Sequence, residues 1–182
     1  NVLIKGLNKS RGEFLEENMI ENKMIYLDHA ATTSINEEVL KEMMPYLTNQ
    51  YGNPSSIYSF GRKSKKSIEK AREQIAATIN AKKSEIYFTS GGTEADNWAI
   101  KGIAGYYKKK GKHIITSSIE HHAVINSCKR LEGEGFEISY LPVDKDGKIS
   151  IEDLKKSIRK DTILISIMMA NNEIGTVEPI AE

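Results

Sequence analysis

The chain has one cysteine, Cys128, so no intrachain disulfide can form and stability must come from a packed core. It has four prolines and one tryptophan in 182 residues, so neither a proline-rich linker nor an aromatic-rich surface organises it. No apolar run approaches the roughly 18 residues that a membrane-spanning helix needs. Charge of one sign is also missing: net charge is +1, so no basic excess argues for nucleic acid. The densest basic cluster, Lys108 to Lys110 with Lys112, falls at a predicted helix end, where cations suit the helix dipole. Both G-x-G-x-x-G and G-x-x-x-x-G-K-[ST] are absent, which argues against a nucleotide-binding fold. His121 and His122 are adjacent, and neighbours in sequence on a helix face apart. No cysteine or carboxylate set has ligand spacing, so a metal site is rejected.

What is present is the composition of an ordinary globular domain, with 39% hydrophobic and 28% charged residues. Ser34-Ile-Asn-Glu37 reads as a capping box that starts a helix running to about Leu47. Tyr51 to Ser56 is rich in Gly, Asn, Pro and Ser and reads as loop. A long helix is expected from Gly61 to Ile79, with Ile68, Ala71, Ile75 and Ile79 as its apolar stripe. Strands and helices then alternate. Strands are expected near Ile86–Thr89, His113–Thr116, Glu137–Leu141 and Thr162–Met169. Helices are expected at Thr93–Lys109, His122–Glu132 and Ile151–Ile158, the last capped by Ser150. This order implies an α/β fold, a mostly parallel sheet with helices on both faces. Thr162 to Met169 is nearly continuous in apolar residues and reads as a central strand. Cys128, with Val124, Ile125 and Leu131, falls on a buried helix face.

Ile86-Tyr-Phe-Thr-Ser-Gly-Gly-Thr-Glu-Ala-Asp-Asn97 reads as strand, glycine turn and helix. Free N–H groups at such a helix start favour an anion, and a phosphate is the natural guest, with the Thr93 hydroxyl as a further donor. A plain turn between strand and helix is the alternative. Ligands in parallel sheets bind beyond the carboxyl ends of the strands. The glycine turn, Glu120-His121 and Asn171-Asn172 each follow soon after an expected strand, so all three can meet at one sheet edge. From the residues alone, His121 also reads as a surface histidine and Asn171-Asn172 as a turn.

Four further segments stand in register with the glycine turn: Tyr26-Leu-Asp-His-Ala-Ala-Thr-Thr33, Tyr51-Gly-Asn-Pro-Ser-Ser56, Ile119-Glu-His-His-Ala-Val124 and Asn171-Asn-Glu-Ile-Gly-Thr176. In order and spacing the five resemble the cysteine desulfurases, NifS/IscS-like enzymes of the class-V aminotransferase family that use pyridoxal 5′-phosphate (PLP). The resemblance runs from Met24 to Glu182. It implies the large domain of a fold-type-I PLP-dependent transferase, incomplete here. Residues 24–80 would be an N-terminal arm and helices, and residues 81–182 the cofactor-binding α/β part.

The resemblance also implies roles. Gly92 and Thr93 match the phosphate-binding pair. His121 matches the histidine that stacks on the pyridine ring and moves protons, making it the catalytic candidate. Asn172 matches the asparagine that donates to the cofactor's O3′. Asp28 and His29 are candidates for contacts with substrate. Tyr58 stands where many relatives have histidine. The implied reaction converts L-cysteine to L-alanine and passes sulfur to a catalytic cysteine for iron–sulfur cluster assembly. The implied setting is a cytoplasmic homodimer serving an iron–sulfur scaffold or other sulfur acceptor, with no nucleic-acid or membrane partner.

Cys128 does not match the catalytic cysteine, and no lysine stands in the family's Ser-x-His-Lys context. The lysine that bonds the cofactor, the aspartate facing the pyridine nitrogen and the catalytic cysteine are expected beyond residue 182, so this chain alone is expected to be inactive. Residues 1–23 hold four Lys or Arg and four Glu and are read as a disordered leader or expression remnant. The rival readings are a selenocysteine lyase or other class-V PLP enzyme, and a non-catalytic truncated module for binding or dimerisation.

Overall fold

A computed structural model describes residues 25–182, so the reading of residues 1–23 lies outside the described residues. Two helices come first, α1 (Glu37–Thr48) and α2 (Ser59–Thr78), followed by a 3-10 turn at Lys83–Glu85. Then α3 (Gly92–Tyr107), β1 (His113–Ser117), α4 (His122–Glu132), β2 (Glu137–Leu141), α5 (Ile151–Ser157) and β3 (Thr162–Ser166) alternate. The three strands form one parallel sheet in the order β2-β1-β3.

Strand alternation divides the core between two faces. On one, Ile114 packs with Ile100 and Ala104 of α3 and with Val124, Cys128 and Leu131 of α4. On the other, Ile115 packs with Leu141 and Ile149, and Leu154 of α5 covers them. Helices therefore cover both faces, as the alternating pattern requires. Cys128 is fully buried, as its place on the α4 stripe predicts. No helix among the described residues is long and apolar enough to cross a membrane.

Several local expectations are corrected. The central strand is β1, not the apolar run near residue 165. β3 is an edge strand that ends at Ser166, and Met169 is 73% exposed. β1 is buried at all five positions although it contains His, Thr and Ser. Hydrogen bonds make this tolerable: Thr116 Oγ1 donates to Ser166 O at 2.9 Å and Ser117 Oγ to Glu120 Oε1 at 2.9 Å. Ile86–Thr89 forms no strand, because no ladder partner lies beside it among the described residues. α1 begins one residue after Asn36, whose side chain accepts from Glu38 N at 2.8 Å, so Asn36 and not Ser34 is the cap. α2 ends at Thr78, and Ile75 on it and Ile79 just after it are exposed, since that helix packs mainly on the Lys83–Glu85 turn. α3 ends at Tyr107, before the lysine cluster, which is solvent-exposed.

Gly52 and Gly61 hold the Tyr51–Ser56 loop against the start of α2. A Cβ on Gly61 would lie 2.3 Å from Asn53 O, and one on Gly52 2.6 Å from Phe60 O. Asn53 also closes the loop on itself, with Oδ1 accepting from Ser55 N at 2.9 Å.

Candidate active site at the carboxyl edge of the sheet

A cleft of about 390 Å³ opens beyond the carboxyl ends of β1 and β3. Its wall includes Ala30, Asp96, Glu120, His121, Met168 and Asn172. A larger groove of about 860 Å³ lies between α1 and α2, but it contains none of the glycine turn, His121 or Asn172. The smaller cleft is the chemically equipped one.

His121 is the N-cap of α4. Its backbone is extended and its Nδ1 accepts from Ala123 N at 3.1 Å. An imidazole that accepts at Nδ1 is left with Nε2 free to carry or exchange a proton. Asn172 stands in a tight hairpin that Ala170 and Val177 close as an antiparallel bridge. Asn171 N donates to Thr176 O at 2.8 Å, and Gly175 supplies the left-handed turn at φ 75°. The Asn172 amide donates to Glu173 Oε1 at 3.0 Å at the exposed rim.

The glycine turn sits beside this cleft without lining it. Gly91 caps α3 with extended backbone, and a Cβ at Gly91 or Gly92 would meet nothing within 4 Å. The chain itself thus leaves the space above the helix start open. Glu94 folds back so that its Oε2 accepts from Ser90 N at 2.6 Å, which holds its carboxyl below the usual range. Asp96, one turn into α3, is the residue of this helix that reaches the cleft. Asp28 and His29 are exposed and do not line it; Ala30, from the same turn, does. Asp28 shapes that turn, its carbonyl accepting from Ala31 N at 3.1 Å.

Asp96 is a cleft residue to which the motif reading gave no role, and Glu120, placed at the sheet edge with His121, was likewise given none. Glu120 is only 8% exposed. Burial pushes its carboxyl up, hydrogen bonds from Met168 N and Ser117 oppose this, and the charges of Asp96 and Glu178 add to the rise. The signal available in the sequence was a carboxylate soon after an expected strand, immediately before His121.

The residues present suit PLP. An open helix start beside the cleft offers donors to a phosphate, and a flat imidazole and a neutral amide both line the cleft.

The chain is similar to known proteins in sequence and fold. The Aminotransferase class-V family matches residues 25–182. The chain is 61% identical over 162 residues to the cysteine desulfurase IscS of Methanosarcina thermophila, covering 89% of this chain and 40% of that protein. It is 58% identical over 161 residues to the IscS of Clostridium botulinum, covering 88% of this chain and 41% of that one. Among solved structures, a NifS-like protein superposes with a TM-score of 0.84 at 43% identity, covering 86% of this chain and 43% of the other. SspA in complex with cysteine gives 0.82 at 44% identity, covering 85% and 45%. The chain spans about 40% of the length of the curated relatives it matches. Family match, close sequence identity and superposable fold together place this chain in the class-V aminotransferase family, where it is similar to the NifS- and IscS-type cysteine desulfurases.

Proposed function

We propose that the protein carrying this chain is a PLP-dependent cysteine desulfurase, converting L-cysteine to L-alanine and passing the sulfur on for iron–sulfur cluster assembly. The observation that carries the reading is the meeting of His121 and Asn172, from two separate loops, in one cleft at the carboxyl edge of a parallel sheet. The names of the similar proteins support it.

In this reading, backbone N–H groups at Gly92 and Thr93, with the Thr93 hydroxyl, hold the phosphate. A single contact at a helix start contributes roughly 0.3–1 kcal/mol, so several must converge. The His121 ring lies against the pyridine ring, and Nε2 is the atom that moves a proton. The Asn172 amide donates to O3′ and stabilises it without demanding a proton. Asp28 and His29 take the substrate side. PLP, when bound, supplies the electron sink that makes bonds at the substrate's α-carbon labile. Residues 24–80 serve as arm and helices and residues 81–182 as the cofactor-binding part. The protein works as a cytoplasmic homodimer that delivers sulfur to an iron–sulfur scaffold or other acceptor.

The isolated 182-residue chain does not turn over cysteine in this reading. Its lysines lack the Ser-x-His-Lys context, and Cys128 is buried with its thiol pushed up to about 11, so it is no nucleophile. Borohydride reduction with PLP, followed by peptide mass mapping, tests the whole. One labelled lysine in a peptide outside this sequence, together with cysteine-dependent sulfide release, is the expected result for the longer protein. Sulfide release by the 182-residue chain free of longer species would sink the claim for the isolated chain. Selenide release from selenocysteine, with none of sulfide from cysteine, would favour a selenocysteine lyase.

A further inference from the structure

His121 and Asn172, which line the same cleft, are not held by the sheet ladder. β1 ends at Ser117 and β3 at Ser166, so His121 and Asn172 stand on loop segments beyond both strands. Two buried side chains cross between those loops. Glu120 Oε1 accepts from Met168 N at 2.7 Å, and Asn171 Nδ2 donates to Ile119 O at 3.0 Å. Each crossing residue immediately precedes one of these two cleft residues, Glu120 before His121 and Asn171 before Asn172.

Both are also tied down on their own side. Ser117 Oγ donates to Glu120 Oε1 at 2.9 Å. Asn171 Oδ1 accepts from Glu173 N at 2.8 Å and from Ile174 N at 3.0 Å. Both residues are 8% exposed. Buried polar contacts with these partners are directional and costly to break, so they hold a spacing where apolar packing would let it slide.

We propose that Glu120 and Asn171 are positioning residues: they form a two-rung brace that sets the distance between the His121 ring and the Asn172 amide. This rests on the cleft being a PLP site for its functional consequence, though not for the brace itself.

The test uses the full-length protein and two readouts. In the first, PLP dissociation constants and the visible circular dichroism of the bound cofactor are compared in a double-mutant cycle. Asn171→Asp keeps the acceptor for Glu173 and Ile174 but loses the donor to Ile119. It is expected to weaken PLP binding about tenfold and to lower the visible band. In a background carrying both His121→Ala and Asn172→Ala the same substitution adds less than about twofold, because the two groups it spaces are gone. An equal loss in both backgrounds would overturn the proposal, since a merely structural role is additive.

The second readout needs no cofactor. Hydrogen exchange in residues 118–123, on the opposite loop from the substitution, is expected to quicken at least about fivefold in Asn171→Asp. Unchanged exchange there overturns the brace. Glu120→Ala is the reciprocal variant, read in residues 167–173, should Asn171→Asp not fold. Glu120→Gln, whose amide oxygen still accepts from Met168 N, should restore wild-type exchange. Faster exchange in a protein that binds no PLP would support the brace while overturning the PLP reading.

Discussion

His113 sits at the start of the central strand, fully buried, and joins all three strands through its ring. Nδ1 lies 2.7 Å from Thr162 Oγ1 on β3, and Nε2 lies 2.8 Å from Ser139 Oγ on β2. Thr162 Oγ1 also accepts from Arg159 N at 2.8 Å. Both hydroxyls can donate or accept, so whichever ring nitrogen carries the hydrogen donates to its hydroxyl and the other accepts. Burial lowers the pKa of His113, the Arg159 charge lowers it further, and Asp161 and Glu137 pull the other way. The unfolded chain then binds the proton more readily than the folded one. The stability linked to His113 is complete above the unfolded value of about 6.5 and is lost as pH falls through the lower folded value. Urea midpoints are expected to fall between about pH 7 and about pH 5, and His113→Leu should remove that part of the slope. The same substitution leaves two hydroxyls short of a partner and should destabilise by about 2 kcal/mol at neutral pH. A wild-type midpoint flat over this range would count against the assignment. The motif reading found His121 because its segment stands in register with the glycine turn and Asn171-Asn172. It found no role for His113, whose partners lie 26 and 49 residues away in the chain.

At the scale of elements, local signals and long-range partners decided different things. α5 shows local control: Ser150 Oγ accepts from Asp153 N at 3.2 Å, with Glu152 and Asp153 in the first turn and Lys155 and Lys156 in the last. Ser150→Ala should destabilise the protein by about 1 kcal/mol, read as a shift in urea midpoint, and Ser150→Asp should recover most of it. No shift in Ser150→Ala would mean that packing of Leu154 alone holds the helix. Ile86–Thr89 shows the opposite case. Its residues favour a strand, yet a strand is a pairing and these residues have no ladder partner among those described. Arg72 instead donates to Ile86 O and lies 5.0 Å over the Phe88 ring. Likewise, the apolar run from Thr162 was legible as a strand, but its place at the edge was not. Position in a sheet depends on which strands pair, and no short window contains that information.

For the whole molecule, the uneven distribution of apolar surface has a consequence. α1 buries none of its residues, and Val39, Leu40, Met43 and Leu47 make one exposed stripe at helical spacing. Leu47 is 66% exposed, and Ile25 and Leu27 of the preceding arm are more so. Contiguous apolar surface of this kind seeks a cover. The 182-residue chain is expected to self-associate, so light scattering should report a mass above 20.4 kDa. A monodisperse species at the monomer mass would refute this. Replacing Leu40 and Met43 with Glu should lower the mass toward the monomer value if the α1 stripe is the contact.

The sequence by itself determined the alternating α/β order, the helix cap at Ser150, the buried face of α4 and the placing of His121 and Asn172 at one sheet edge. These follow from periodicity, short-range hydrogen bonding and the rule that loops after parallel strands share an edge. Only the tertiary structure decided that β1 is central, that Ala30 and not Asp28 or His29 reaches the cleft, and that Glu120 and Asn171 span it. Those outcomes depend on contacts between residues about 50 positions apart, such as Glu120 with Met168 and Asn171 with Ile119. Such contacts exist only once the strands have paired and brought both loops to the same end of the sheet.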